Sequence, residues 1–245
     1  MNRTSITGLA CLLAVALTAC AGGGEPPAPS GSPASAPLEA LKEPANSMSV
    51  SPPLSPAPVS AEALAAYRAL LAGEPGALDR PPEGLELHQV TLPPAEELEY
   101  VLLDLDGDGG AELVVQMVAQ PHQFNAVFHY GDGELSCWQY DIMEMSCRDY
   151  PLGDGAMVRQ YDTGTGPNRY SNLYTVFRYL PDGETEECAS LAVHQDTQED
   201  GTEVFTYLVD DAEVDQDTFA AEFEELVGSR RLSLEDWTPA TERPG

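Results

Sequence analysis

Short runs of β-branched and aromatic residues, broken repeatedly by Asp-Gly, constrain this chain more than anything else in it. The runs are Glu99–Leu103, Glu112–Val118, Ala126–Tyr130, Leu135–Tyr140, Ala156–Tyr161, Leu173–Tyr179 and Val204–Val209. Asp132-Gly133, Asp154-Gly155 and Asp182-Gly183 fall between them. Asp-Gly between apolar runs predicts a hairpin, because a two-residue turn matching strand twist needs positive φ at both central residues. Helical spacing flanks this region on both sides. In "SAEALAAYRALLAG", Ser60 is a good N-cap, Leu64, Tyr67 and Leu71 share a face, and Gly73 can end the helix. In "EVDQDTFAAEFEELVG", Asp215 is the N-cap, Val214 and Phe219 have staple spacing, and Phe219, Phe223 and Leu226 form the apolar face up to Gly228. The expected fold is α+β: an antiparallel β-sheet meander between an N-terminal and a C-terminal helix, in one domain over 60–238. The tail over 239–245 is expected to fray.

Residues before Ser60 cannot join that core. From 21 to 59 the chain is dominated by Pro, Ala, Ser and Gly and has no aromatic residue. It cannot bury enough apolar surface to offset its ordering entropy, so the expectation is a disordered tether over 20–59, extended by its prolines. Before it, Arg3 and the apolar stretch Leu9–Leu17 have the proportions of a signal peptide over 1–19, too short for a spanning helix. "LTAC", ending at Cys20, resembles the bacterial lipobox. That resemblance implies cleavage before Cys20, diacylation of its thiol, and a domain held on the extracytoplasmic side of the cell membrane. Two acyl chains anchor far more stably than one.

Charge narrows the partners. Acidic residues number 41 and basic ones 11, a formal net charge of -30. Phosphate contacts need Lys and Arg, and the chain's own field repels a polyanion, so nucleic acid is excluded as a partner. Such acidity serves solubility, or affinity for cations. A monomer is expected. Three cysteines follow the lipobox: Cys137, Cys147 and Cys188. In an oxidising compartment the local pair Cys137–Cys147 is the favoured disulfide, with Cys188 an equally legal partner for either.

One loop gathers the charge. "DLDGDGGAEL", Asp104–Leu113, has the D-x-D-x-D-G spacing in which a coiled backbone turns carboxylates at positions 1, 3 and 5 onto one cation. The expected calcium ligands are Asp104, Asp106, Asp108, the carbonyl of Gly110, and Glu112. Position 12, a bidentate Glu in an EF-hand, is Val115 here, and "YVLLD" and "ELVVQMVA" read as strands, not helices. The pattern resembles the calcium loop of FG-GAP-type repeats over about Tyr100–Met117, in a single copy. More broadly, "AAYRALL", "LLDLDGDGGAELVV", "HYGDGELSCW" and "YLVDDAEVDQDTF" resemble uncharacterised lipoproteins of gut-dwelling Gram-positive bacteria. That resemblance implies a fold and a location, not an activity. Without the position-12 carboxylate, affinity is expected near ~10⁻⁴–10⁻³ M.

No catalytic motif stands out. His88, His122, His129 and His194 lack zinc-ligand spacing, and His129 reads as a half-exposed sheet residue. The leading expectation is therefore a non-enzymatic domain holding one structural calcium. The alternative is a glycan-binding lipoprotein or a carboxylate-based hydrolase. Trp138, Tyr140, Tyr150, Tyr161, Tyr170, Tyr174 and Tyr179 could form a platform for a glycan, although core packing is the favoured role. "YDTGTGPNRYSN", Tyr161–Asn172, reads as a long polar loop suited to a ligand.

Overall fold

The computed structural model describes residues 57–245 apart from 120–122, 143–146, 167, 243 and 245. The signal peptide, Cys20, nearly all of the tether, and His122 lie outside the described residues. The elements are α1 (Ala61–Leu71), β1 (Leu98–Leu103), β2 (Glu112–Met117), β3 (Phe124–Gly131), β4 (Glu134–Ile142), β5 (Cys147–Pro151), β6 (Met157–Gly166), β7 (Arg169–Tyr179), β8 (Thr185–Thr197), β9 (Glu203–Val209), β10 (Ala212–Val214), α2 (Gln216–Leu226) and β11 (Thr238–Pro239). The strands are antiparallel throughout, with one helix at each end, as expected. They form two sheets rather than one, ordered β11-β1-β2-β3-β4 and β10-β9-β8-β7-β6-β5.

Side-chain alternation explains why two sheets and two helices make four layers. Leu98, Tyr100, Leu113, Val115, Ala126 and Phe128 point to one face of the first sheet and pack on Tyr67, Leu70 and Leu71 of α1. Val101, Leu103, Val114 and Val127 point to its other face and meet Met157, Phe177 and Tyr179 of the second sheet. The far face of that sheet, with Val158, Tyr174, Val176 and Leu191, packs on Phe219 and Val227 at α2. The layer order is α1, first sheet, second sheet, α2, so both sheets are buried on two faces over much of their area. Both helix starts are capped as expected: Ser60 accepts from the Ala63 N–H, and Asp215 from the Thr218 N–H.

The Asp-Gly pairs divide into two kinds of turn. Asp132-Gly133 has positive φ at both residues and closes β3 onto β4 as a two-residue hairpin. Asp154-Gly155 and Asp182-Gly183 do not. There only the glycine has positive φ, and it ends a three-residue loop closed by hydrogen bonds between Leu152 and Ala156 and between Leu180 and Glu184. In each, the Asp carboxylate also accepts the N–H two residues on. A fourth pair, Asp200-Gly201, repeats this loop between β8 and β9. Asp210 and Asp211, both at positive φ, make the two-residue turn between β9 and β10 without any glycine.

Three expectations are overturned. Among its described residues the tail is docked, not frayed: Thr238 and Pro239 pair with Tyr100 and Glu99, Ala240 is buried, and Arg68 Nε donates to the Pro244 carbonyl. Tyr161–Asn172 is not a loop but the outer part of the β6–β7 hairpin, paired from Tyr161–Leu173 to Gly166–Arg169. Its threonines and tyrosines favour extended backbone even without an apolar pattern. The favoured Cys137–Cys147 disulfide is not formed, and Cys137 and Cys188 are free thiols. Cys137 is buried on β4 of the first sheet, with its thiol donating to the Gln139 carbonyl, while Cys147 opens β5 of the second sheet.

Candidate metal centre

The "DLDGDGGAEL" segment is the loop from β1 to β2. Its backbone coils because Gly107 and Gly109 take positive φ, which residues with a Cβ rarely adopt. The coil is stitched by its own carboxylates. Asp104 accepts from the N–H groups of Gly107 and Gly109, Asp106 Oδ1 from Asp108, and Asp108 Oδ1 from Gly110. These bonds turn the three side chains inward, and oxygens of Asp104, Asp106 and Asp108 lie within 4.8 Å of one another. Each carboxylate oxygen has a second lone pair beyond the backbone bond it accepts. Asp106 Oδ2 is enclosed and has no hydrogen-bond partner. Burial, reinforced by the charges of Asp108 and Asp104, raises the Asp106 carboxyl above its ordinary range.

Glu112 is placed differently from the other expected ligands. It begins β2 on the face toward the second sheet and is 1% exposed. Oε2 accepts the Leu105 N–H at 2.7 Å, and Oε1 lies 3.0 Å from His129 Nδ1. Glu112, His129 and Asp106 bring ligand atoms within 4.8 Å of each other, so Asp106 belongs to two groups at once. Gly110 enters through its N–H. The floor of the loop is fixed by Tyr67 of α1, whose hydroxyl donates to the Ala111 carbonyl.

His129 was not among the expected site residues. It joins because Leu113 pairs with Phe128, which sets Glu112 beside His129 on adjacent strands. The imidazole stacks on Trp138 at 4.3 Å between centroids. Burial lowers its pKa, but the hydrogen bond and charge of Glu112, then Asp106 and Asp108, outweigh that and raise it above the ordinary value. Burial likewise lifts Glu112, against the pull of His129 and the Leu105 N–H. Strand register was the missing signal, and no local spacing contains it.

The seven aromatic residues do not share one surface. Tyr140 packs on the α1 side of the first sheet, Trp138 and Tyr179 lie between the sheets, and Tyr150 and Tyr174 face α2. Tyr161 and Tyr170 are the exposed members. Packing is thus the main role of the set, as favoured. Comparison with protein-family models, with curated proteins and with solved structures found no match to this chain.

Proposed function

We propose that the chain is a lipid-anchored extracytoplasmic domain whose β1–β2 loop holds one calcium ion as part of the fold, without catalysis. The observation that supports the ion is Asp106 Oδ2, enclosed and unpartnered while carboxylate oxygens from Asp104 and Asp108 stand within 4.8 Å. A buried acceptor without a donor is costly, and a cation is one group that satisfies it. The donor set is hard oxygen, which suits calcium, and its span tolerates the irregular shell calcium accepts better than the strict octahedron of magnesium. Asp104, Asp106 and Asp108 would hold the ion, with the Gly110 carbonyl completing one side. Glu112 would join by giving up either Leu105 or His129. The role follows from the position: the loop joins two inner strands of the first sheet, so an ion there stiffens the turn that holds them together.

Thermal melts of the full-length chain test this. An ion that binds only the folded state adds about 2.7 kcal/mol at a hundredfold excess over Kd. The melting temperature is expected to climb with calcium and much less with magnesium. Asp106→Ala should abolish the calcium-dependent rise while changing the melt in chelator little. No calcium shift up to ~10 mM, above the range for extracellular modules, would refute the metal role. The anchor rests on the resemblance of "LTAC" to a lipobox. Cys20→Ala is expected to move the chain from the detergent phase to the aqueous phase on partitioning. An unchanged partition would refute lipidation.

A further inference from the structure

We propose a second metal site beside the first, in which His129, Glu112 and Asp106 bind a divalent transition-metal ion of the zinc class. It shares Asp106 with the calcium loop and does not depend on that loop taking calcium. The donor set is the first argument. A ligand atom from each of the three residues lies within 4.8 Å of the other two. Calcium and magnesium take oxygen, whereas imidazole nitrogen suits zinc and its first-row neighbours. His129 Nδ1 and Glu112 Oε1 are 3.0 Å apart. Two donors on one zinc, each about 2.1 Å from it, also stand roughly 3 Å apart. The same distance fits a hydrogen bond, so the surroundings have to separate the two.

Charge separates them first. Asp104, Asp106, Asp108 and Glu112 share this corner with one imidazole. Among the described residues no lysine or arginine pairs with any of the four, and His129 is the one basic partner, on Glu112. The other enclosed carboxylate of an ion pair, Asp149, is treated differently, taking three hydrogen bonds from Arg159. One divalent ion in the loop leaves two of the four charges unmet, and a second ion answers them. Asp106 separates them again. Its Oδ1 accepts the Asp108 N–H, while Oδ2 is enclosed without a hydrogen-bond partner. A carboxylate that belongs to both groups and keeps one oxygen free is suited to bridge two ions.

The ligands are also oriented by their own supports. Glu112 Oε2 is fixed by the Leu105 N–H at 2.7 Å, which leaves Oε1 turned to His129. The imidazole stacks on Trp138 with 11° between the ring planes. Its Nε2 edge lies against Gly131, where an added Cβ would come within 2.5 Å. Outer contacts of this kind are what hold metal ligands in place. The ion takes the position of the proton between Nδ1 and Oε1, which is released. Of its two bonds, Glu112 therefore gives up the one to His129 and keeps Leu105.

Zinc titrated calorimetrically into the full-length chain, with calcium present at saturation, is expected to fill a site for which magnesium does not compete. His129→Gln keeps an amide beside Glu112 and should weaken that site at least about tenfold. It should leave the calcium-dependent rise in melting temperature in place. Asp108→Asn should do the reverse, losing the calcium rise and keeping zinc. If His129→Gln does not fold, the parent chain decides: the His129 Nδ1 signal, recognised by its contact with Trp138, must shift as zinc is added. Zinc binding without any calcium rise in the parent would refute the calcium reading and support this one. Absence of saturable zinc binding overturns the proposal, as does a His129→Gln variant that binds zinc like the parent. So does a His129 Nδ1 signal that zinc leaves in place, or zinc that binds only without calcium, since one site would then serve both.

Discussion

Gly155→Ala is expected to cost roughly 3 kcal/mol or more, a large part of a typical domain's stability. Two penalties coincide at this glycine. Its φ is +83°, a conformation that costs a residue with a Cβ about 1–2 kcal/mol. A Cβ built there would also lie 2.0 Å from the Asp104 carbonyl oxygen, which is main chain and cannot rotate away. The turn after β5 therefore presses directly on the start of the acidic loop, joining the second sheet to the first. Gly201 isolates the first penalty. It has the same φ in the same kind of three-residue turn, yet nothing lies within 4 Å of its would-be Cβ. Gly201→Ala should lose only the conformational part. Urea unfolding at constant m-value measures both. Equal losses in the two variants would show that the approach at Asp104 relaxes without cost.

The second large effect is expected at Arg159. Asp149 is an enclosed carboxylate, its side chain 1% exposed, and Arg159 grips it with three hydrogen bonds. Burial raises the Asp149 carboxyl above its ordinary value even though the Arg159 bonds and charge pull it down. Arg159→Ala removes that pull and leaves a buried charge without its partner. Such losses reach 3–5 kcal/mol in fully enclosed pairs. With the Arg159 side chain 52% exposed, about 2–4 kcal/mol is the expectation at neutral pH. The deficit must also depend on pH. A carboxyl whose folded pKa exceeds its unfolded one favours folding below the unfolded pKa, and this contribution is lost as pH rises through the folded pKa. The variant, with the more elevated pKa, should therefore approach the parent's stability on acidification and fall furthest behind it at neutral pH. Asp149→Asn added to Arg159→Ala should recover much of the loss. A deficit independent of pH would mean that Arg159 does not set the ionisation of Asp149, and that the loss comes from packing instead of an unpaired charge.

The sequence carries the local signals well. Ser60 and Asp215 cap the helices they were expected to cap, and seven strands lie where β-branched and aromatic runs predicted them. Strands whose burial does not follow a simple pattern were missed. β8, "TEECASLAVHQDT", is exposed over its first four residues, so the apolar alternation of Ala189, Leu191 and Val193 marks only its middle. β5, "CRDYP", buries an aspartate that its ion pair with Arg159 makes tolerable. The passage from β4 to β5 also changes sheet, and hydrophobic runs record how far a strand extends, not which neighbour it chooses. The candidate site divides along the same line. Asp104, Asp106 and Asp108 sit within one turn, so spacing alone brought them together. His129 reaches Glu112 through a strand pairing that no local pattern encodes.

The docked tail has a kinetic consequence. Tyr100 donates its hydroxyl to the Glu242 carbonyl across 142 residues, and Arg68 reaches Pro244 across 176. The β11 edge of the first sheet is thus supplied by residues that emerge after every other strand in both sheets. Closing so long a loop must precede the contacts that reward it, which slows folding. A chain threaded through a pore from its N-terminus would remain without this clasp until residues 238–244 arrived. Nascent chains released before residue 238 are therefore expected to stay protease-sensitive around β1.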